Sequence, residues 1–211
     1  MKKLFTTSLI ILASTVFSFS QEIGLYFSPI GAGYTQFTYQ YNDRLYRGGD
    51  DARTLPLRGR GFNAASNGFI TLRFNRLRLG VDGTINRIGI RELQTPVDLH
   101  PSVGDFNTNW RNLQMGGGRI GYDIIRAPFF ALSPTFTMGT FTATRDDFNE
   151  EMSRRLFTKY SMLFEFKLPG FVSIFAEPNF SSFRYKIDGL SNNITGRMYN
   201  YNVNVGMGLR F

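Results

Sequence analysis

The sequence predicts an all-β protein, an eight-stranded antiparallel up-and-down transmembrane β-barrel. Three observations predict it. Apolar residues recur with period two rather than 3.6. The face opposite the apolar rows carries Arg, Lys, Asp and Glu, so the large residues point outward. The connections alternate between tight turns and long polar stretches. The composition agrees. The 211 residues include 22 Phe, 10 Tyr and 22 Gly, but no Cys. That mix reads as strands and turns. Without Cys there is no disulfide scaffold, Cys-ligated zinc or cysteine nucleophile. A mean hydropathy of −0.18 looks soluble, but an alternating strand averages towards zero.

Residues 1–20 read as a secretory signal peptide. Met1-Lys2-Lys3 is basic, Leu4 to Phe19 is apolar around Leu9-Ile10-Ile11-Leu12, and Ser18 and Ser20 are small residues before Gln21. Residues 21–211 are then the barrel domain. No apolar run of about 18 residues follows, so no spanning helix is expected.

The first strand is read over about Ile23 to Tyr41, with a bulge or kink between Pro29 and Gly33. A long polar connection over 43–66 follows. Ile70, Leu72 and Phe74 then alternate with Thr71 and Arg73, Asn75-Arg76 makes a tight turn, and Leu77, Leu79 and Val81 oppose Arg78, Gly80 and Asp82. After a connection over 91–113, Ile120, Tyr122 and Ile124 oppose Arg119, Gly121 and Asp123. Arg126-Ala127-Pro128 turns into Phe130, Leu132, Pro134, Phe136 and Met138.

A third long connection spans 144–155. Leu156, Thr158, Tyr160, Met162, Phe164, Phe166 and Leu168 then oppose Phe157, Lys159, Ser161, Leu163, Glu165 and Lys167. Pro169-Gly170 turns the chain. Val172, Ile174, Ala176, Pro178 and Phe180 oppose Ser173, Phe175, Glu177, Asn179 and Ser181. A connection over 187–197 leads to the clearest strand. There Tyr199, Tyr201, Val203, Val205, Met207, Leu209 and Phe211 face Asn200, Asn202, Asn204, Gly206, Gly208 and Arg210. Strands of about 10–14 residues suit a tilted membrane strand. Short turns would be periplasmic and long connections external, with both termini periplasmic. Phe27-Ser28-Pro29, Leu132-Ser133-Pro134 and Ala176-Glu177-Pro178 place proline inside three strands. Proline lacks a ladder donor, so local bulges are expected there.

The signal peptide, the eight alternating segments and Tyr201-x-Val203-x-Val205-x-Met207-x-Leu209-x-Phe211 resemble small outer-membrane β-barrel proteins. The pattern is similar to the porin-like, OmpA-type barrel-domain proteins of the Bacteroidota. The resemblance implies that Tyr201, Val203, Val205, Met207, Leu209 and Phe211 form the signal read by the barrel-assembly machinery. The periplasmic peptidoglycan-binding domain frequent in that family has no counterpart before Phe211.

Eight strands enclose an interior that side chains fill. The residues expected inside are Arg73, Arg78, Asp82, Arg119, Asp123, Lys159, Glu165, Lys167, Glu177 and Arg210. Buried charges must pair or reach water, and the near balance of signs favours a salt-bridged plug over a narrow ion path. Aromatic girdles are expected from Phe129, Phe130, Phe171 and Phe211 at one end and Tyr39, Tyr41, Tyr199 and Tyr201 at the other. Arg44, Arg47, Arg53, Arg58 and Arg60 could contact lipopolysaccharide phosphates.

Other patterns carry less. Gly116-Gly117-Gly118-Arg119-Ile120-Gly121 matches a dinucleotide fingerprint, but the following residues read as strand where that fingerprint needs a helix. His100, the sole histidine, lies beside Asp98 and Ser102 without the geometry of a triad. Asp146-Asp147-Phe148-Asn149-Glu150-Glu151 lacks the spacing of a calcium loop. The pI of 9.9 comes with no nucleic-acid-binding signature. The reading is a non-enzymatic outer-membrane barrel without cofactor or metal. Its partners would be outer-membrane lipid, lipopolysaccharide, the assembly machinery and an envelope protein. The alternatives are a lipid A-modifying enzyme using His100 and a narrow ion channel.

Overall fold

Eight long antiparallel strands close into a barrel in a computed structural model. The structure describes residues 22–43, 53–94, 110–145, 155–187 and 194–211. The strands are β1 (Glu22–Asp43), β2 (Arg53–Phe74), β3 (Leu77–Gln94), β4 (Trp110–Tyr122), β6 (Phe130–Arg145), β7 (Arg155–Lys167), β8 (Val172–Ile187) and β9 (Ile194–Arg210). A two-residue strand, β5 (Ile125–Arg126), pairs with the start of β6 inside a turn. Each long strand pairs with its neighbour in sequence. Pairing of β1 with β9 and of β4 with β6 leaves no open edge. Closure removes the unpaired amides that lipid could not satisfy.

The strands run 13 to 22 residues, longer than the sequence suggested. Residues 53–66, expected in a connection, extend β2 and pair with β1 from Asp43↔Arg53 to Gly31↔Ala65. The apolar alternation is weak there because the outward row carries Arg60, Phe62, Ala64 and Ser66, of which Phe62 alone is large and apolar. The other expected connections are also overlong. β3 runs to Gln94, β4 starts at Trp110, β6 reaches Arg145 and β9 starts at Ile194.

The tight turns are at Asn75-Arg76, where Asn75 has φ 56°, and at residues 168–171, where Gly170 has φ 86°. Both lie in the left-handed region that Gly and Asn tolerate. The start of β1 and the residue after β9 meet at this same turn end: Ile23 and Phe211 exchange backbone hydrogen bonds of 2.8 and 2.9 Å.

The three strand prolines behave differently. At Pro29 the register of β1 slips against both neighbours, and the inward row passes from Ser28 to Gly31. At Pro134 the partner of β6 changes from β4 to β5. At Pro178 the β7–β8 ladder is interrupted between Ser161↔Asn179 and Phe164↔Ala176 without any slip. The expected bulge is therefore absent at Pro178. A gap in the ladder accommodates the missing N–H on its own.

Burial is inverted relative to a soluble domain. Ile70, Val81, Ile120, Ile174, Val203 and Met207 are exposed on the outside. Among the described residues, the interior holds Asn, Thr and Ser with eight charged side chains. It is layered. Two charged clusters lie towards the turn end and mid-wall. Phe141, Phe157 and Phe183 pack together towards the loop end, with centroids 5.2 and 5.9 Å apart. Close backbone approach needs glycine where β4 meets β6, since a Cβ on Gly139 would strike the carbonyl oxygen of Gly116.

Candidate functional site

The lower cluster is built around the β2–β3 turn. Arg73 and Arg78 flank it and are register partners, so the turn places two positive charges side by side. Carboxylates from distant strands resolve that conflict. Glu165 Oε2 on β7 lies 3.0 Å from Arg73 Nη2 and 2.7 Å from Arg78 Nη2. Asp123, between β4 and β5, accepts from Arg78 Nε at 2.6 Å and forms an ion pair with Arg73 Nε at 3.0 Å. Glu22 Oε1 holds Arg73 Nη1 at 2.5 Å. Tyr26 donates its hydroxyl to Glu165 Oε1 at 2.8 Å and accepts from Arg78 Nη1 at 3.1 Å. Ser133 donates to Asp123 at 2.5 Å. Two arginines thus meet three carboxylates, each guanidinium reaching different carboxylates through different nitrogens.

The second cluster sits on the next turns of the wall. Asp82 Oδ2 on β3 receives Arg119 Nη1 at 2.9 Å and Lys159 Nζ at 2.6 Å. Arg119 Nη1 also reaches Glu177 Oε1 at 2.6 Å. Asn67 donates to Asp82 Oδ1 at 2.9 Å and Ser161 to Glu177 Oε1 at 2.7 Å. Two positive groups meet two negative ones. Between the clusters lie Tyr26, Phe69, Phe175 and Leu163. Tyr26 and Phe69 stack at 4.5 Å, and the Arg119 guanidinium carbon lies 4.0 Å above the Phe69 ring. Tyr26 thus touches the lower cluster and Phe69 the upper one.

Of the ten charges assigned to the interior from sequence, eight are buried in these clusters. Lys167 and Arg210 are not; they are half-exposed at the rim. Arg210 Nη2 donates to the carbonyls of Leu168, Gly170 and Val172 at 3.2 to 3.3 Å. Both residues end their strands, where the wall no longer encloses them. The network also contains groups that sequence reasoning had not assigned to it: Tyr26, Phe69, Asn67, Ser133 and Glu22. Tyr26 shares its inward row with Gly24 and Ser28, and that parity was its only signal.

The C-terminal row faces outward. Tyr201, Val203, Val205, Met207, Leu209 and Phe211 are 39 to 65% exposed, and the Phe211 ring stacks on Phe171 at 6.3 Å. Phe129, Phe171 and Phe211 are exposed at the turn end. Phe180, Tyr199 and Tyr201 form ring contacts of 5.0 to 5.8 Å higher on the wall. Tyr39 and Tyr41 lie in β1 but their side chains are outside the described residues. Of the basic residues assigned to lipopolysaccharide, Arg60 is exposed on the outer face of β2. Arg53 and Arg58 lie in β2 with undescribed side chains, and Arg44 and Arg47 fall outside the described residues. The signal segment 1–20, His100 and the acidic stretch 146–151 also fall outside them.

The glycine run 116–121 is continuous β4 strand. A phosphate-binding loop needs a strand-to-helix turn there, so the dinucleotide pattern has no structural counterpart. Among the described residues no group of three or more His, Cys, Asp or Glu could hold a metal.

No family model and no curated protein matches the chain. Solved structures do resemble it. Neisserial surface protein A has a TM-score of 0.44 at 13% identity, over 88% of this chain and 99% of that one. The outer membrane protein OprG from Pseudomonas aeruginosa has a TM-score of 0.48 at 9% identity, over 91% and 96%. Ail, the attachment invasion locus protein of Yersinia pestis, has a TM-score of 0.33 at 17% identity, over 90% and 98%. With such low scores and identities, these likenesses assign this chain no role.

Proposed function

We propose that this chain is an integral outer-membrane barrel with a sealed interior and no catalytic role, acting through what its strands carry at the loop end. One observation supports this most: exposed aliphatic and aromatic rows surround a lumen filled with paired charges. Water would strand the outside, and lipid would solvate it. Paired charges and an aromatic layer between the clusters favour a plug over a path. In this reading residues 1–20 direct export and residues 21–211 form the barrel. Both termini are periplasmic. Tyr201 to Phe211 on the outward row serve as the signal read by the assembly machinery. The loop end meets lipopolysaccharide and could seat the chain as an accessory subunit of an envelope complex.

Two measurements test the reading. Fractionation should place the protein in the outer membrane with heat-modifiable gel migration. In planar bilayers the native barrel should show no steady conductance, while charge reversal at Glu165 and Glu177 together should raise leak events. A steady ohmic conductance from the native chain would overturn the plug.

A further inference from the structure

The outer wall carries a charge arrangement that the lumen does not explain. Arg184 on β8 and Arg197 on β9 are register partners. Both are exposed on the outward face. Among the described residues neither has an ion-pair partner. Like charges directly opposite on one sheet face repel, so the pair stores an unfavourable contact that an anion between the two side chains would relieve. The next residue across from Arg197 is the neutral Thr38 on β1.

The position narrows the anion. At about 3.3 Å per residue along a strand tilted by about 40°, both arginines stand roughly 30 Å above the turn end. That is just beyond an apolar band about 25 Å tall. One step below on the same face lie Ser182 and Tyr199, themselves register partners. Below these, Phe180 stacks on Tyr199 at 5.8 Å and meets Tyr201 at 5.0 Å. Pro178 and Val203 continue the strip downward as a further register pair. A charged fork thus surmounts an aromatic and aliphatic strip.

We infer that Arg184 and Arg197 bind the phosphate of an outer-leaflet phosphorylated glycolipid whose acyl chains lie along the Phe180, Tyr199, Tyr201, Pro178 and Val203 strip. The chemistry fits at both ends. Guanidinium groups take phosphate oxygens in charge-assisted forked bonds. The flat rings of Phe180, Tyr199 and Tyr201, with Pro178 and Val203 below them, offer a largely apolar surface along which extended acyl chains can lie. The inference rests on the outer-membrane reading, with the loop end facing the outer leaflet.

The test uses the purified full-length barrel in mild detergent, with native mass spectrometry of retained lipid. The probes are diphosphorylated lipid A, the same lipid A after enzymatic dephosphorylation, and phosphatidylglycerol. The native barrel should retain the phosphorylated form about tenfold more than either other lipid. Two arginines near a charged surface support a change of that order. The double variant Arg184→Ala/Arg197→Ala should lose the preference, and Arg76→Ala, an exposed arginine at the turn end, should keep it. Heat-modifiable migration establishes that each variant is folded. Equal retention by native and double-variant barrels overturns the inference, as does retention of dephosphorylated lipid A or phosphatidylglycerol at the native level. Fractionation separates the two levels of failure. A barrel found in the outer membrane without the lipid preference removes this site alone, whereas a barrel absent from that membrane removes the reading beneath it.

Discussion

Arg73 and Arg78 show why single carboxylates matter in this lumen. Their side-by-side placement is tolerable only because Glu165 and Asp123 each contact both. Glu165→Gln removes the charge but keeps the shape, leaving two buried guanidinium groups to share Asp123, with Glu22 serving Arg73 alone. Breaking a buried ion pair costs about 3 kcal/mol. Unfolding in urea from detergent micelles should show a loss of that order for Glu165→Gln, and a similar one for Asp82→Asn, which leaves Arg119 and Lys159 with Glu177 as their one carboxylate among the described residues. Lys167→Gln at the rim should stay within about 0.5 kcal/mol of the native protein. Equal losses at Glu165 and Lys167 would mean that the lumen charges are solvated rather than paired. These charges were legible in the sequence, because alternation puts a charged residue opposite an apolar row. Their neutral partners were not. Tyr26, Asn67 and Ser133 contact charges 10 to 139 positions away, and no local pattern encodes which of them meet.

Along a strand the same alternation succeeds or fails with side-chain size. β7, β8 and β9 put a bulky residue at nearly every outward position, and their rows were readable. β2 puts Arg60, Ala64 and Ser66 there, with Phe62 the one large apolar residue among them, so residues 53–66 looked like a polar connection although they pair with β1. Small residues have positive uses elsewhere, and these are separable by experiment. Gly139 faces the β4 backbone, and any Cβ there collides with Gly116 and Gly117. Gly118 points into open space with nothing within 4 Å. Gly139→Val should therefore abolish or strongly reduce the folded, heat-modifiable band, since neither backbone can give way without opening the ladder. Gly118→Val should fold normally and add apolar surface to the outer row. A folded Gly139→Val barrel of native stability would show that β4 and β6 do not approach as closely as described.

For the molecule as a whole, closure is the step on which the inverted burial depends, because an open edge would expose unpaired amides to lipid. The seam between β1 and β9 is finished by Phe211. Its N–H and C=O bond to Ile23, the Arg210 N–H reaches the Phe171 carbonyl at 2.7 Å, and the Phe171 and Phe211 rings stack. The outward row ending at Phe211 was visible in the sequence. The clasp to Ile23 was not, since it joins residues at opposite ends of the barrel chain. Two variants separate the ring from the backbone. Phe211→Ala keeps both hydrogen bonds with Ile23 and loses the stack, so once folded it should unfold within about 1 kcal/mol of the native barrel. Deleting Phe211 also removes the paired backbone bonds at the last rung. It should lower the yield of heat-modifiable barrel several-fold when refolded into detergent, where no assembly machinery is present. If deletion lowers the yield only in cells and not in detergent, Phe211 serves recognition during assembly and the clasp contributes little to closure. If both yields fall together, the last rung itself limits closure of the barrel.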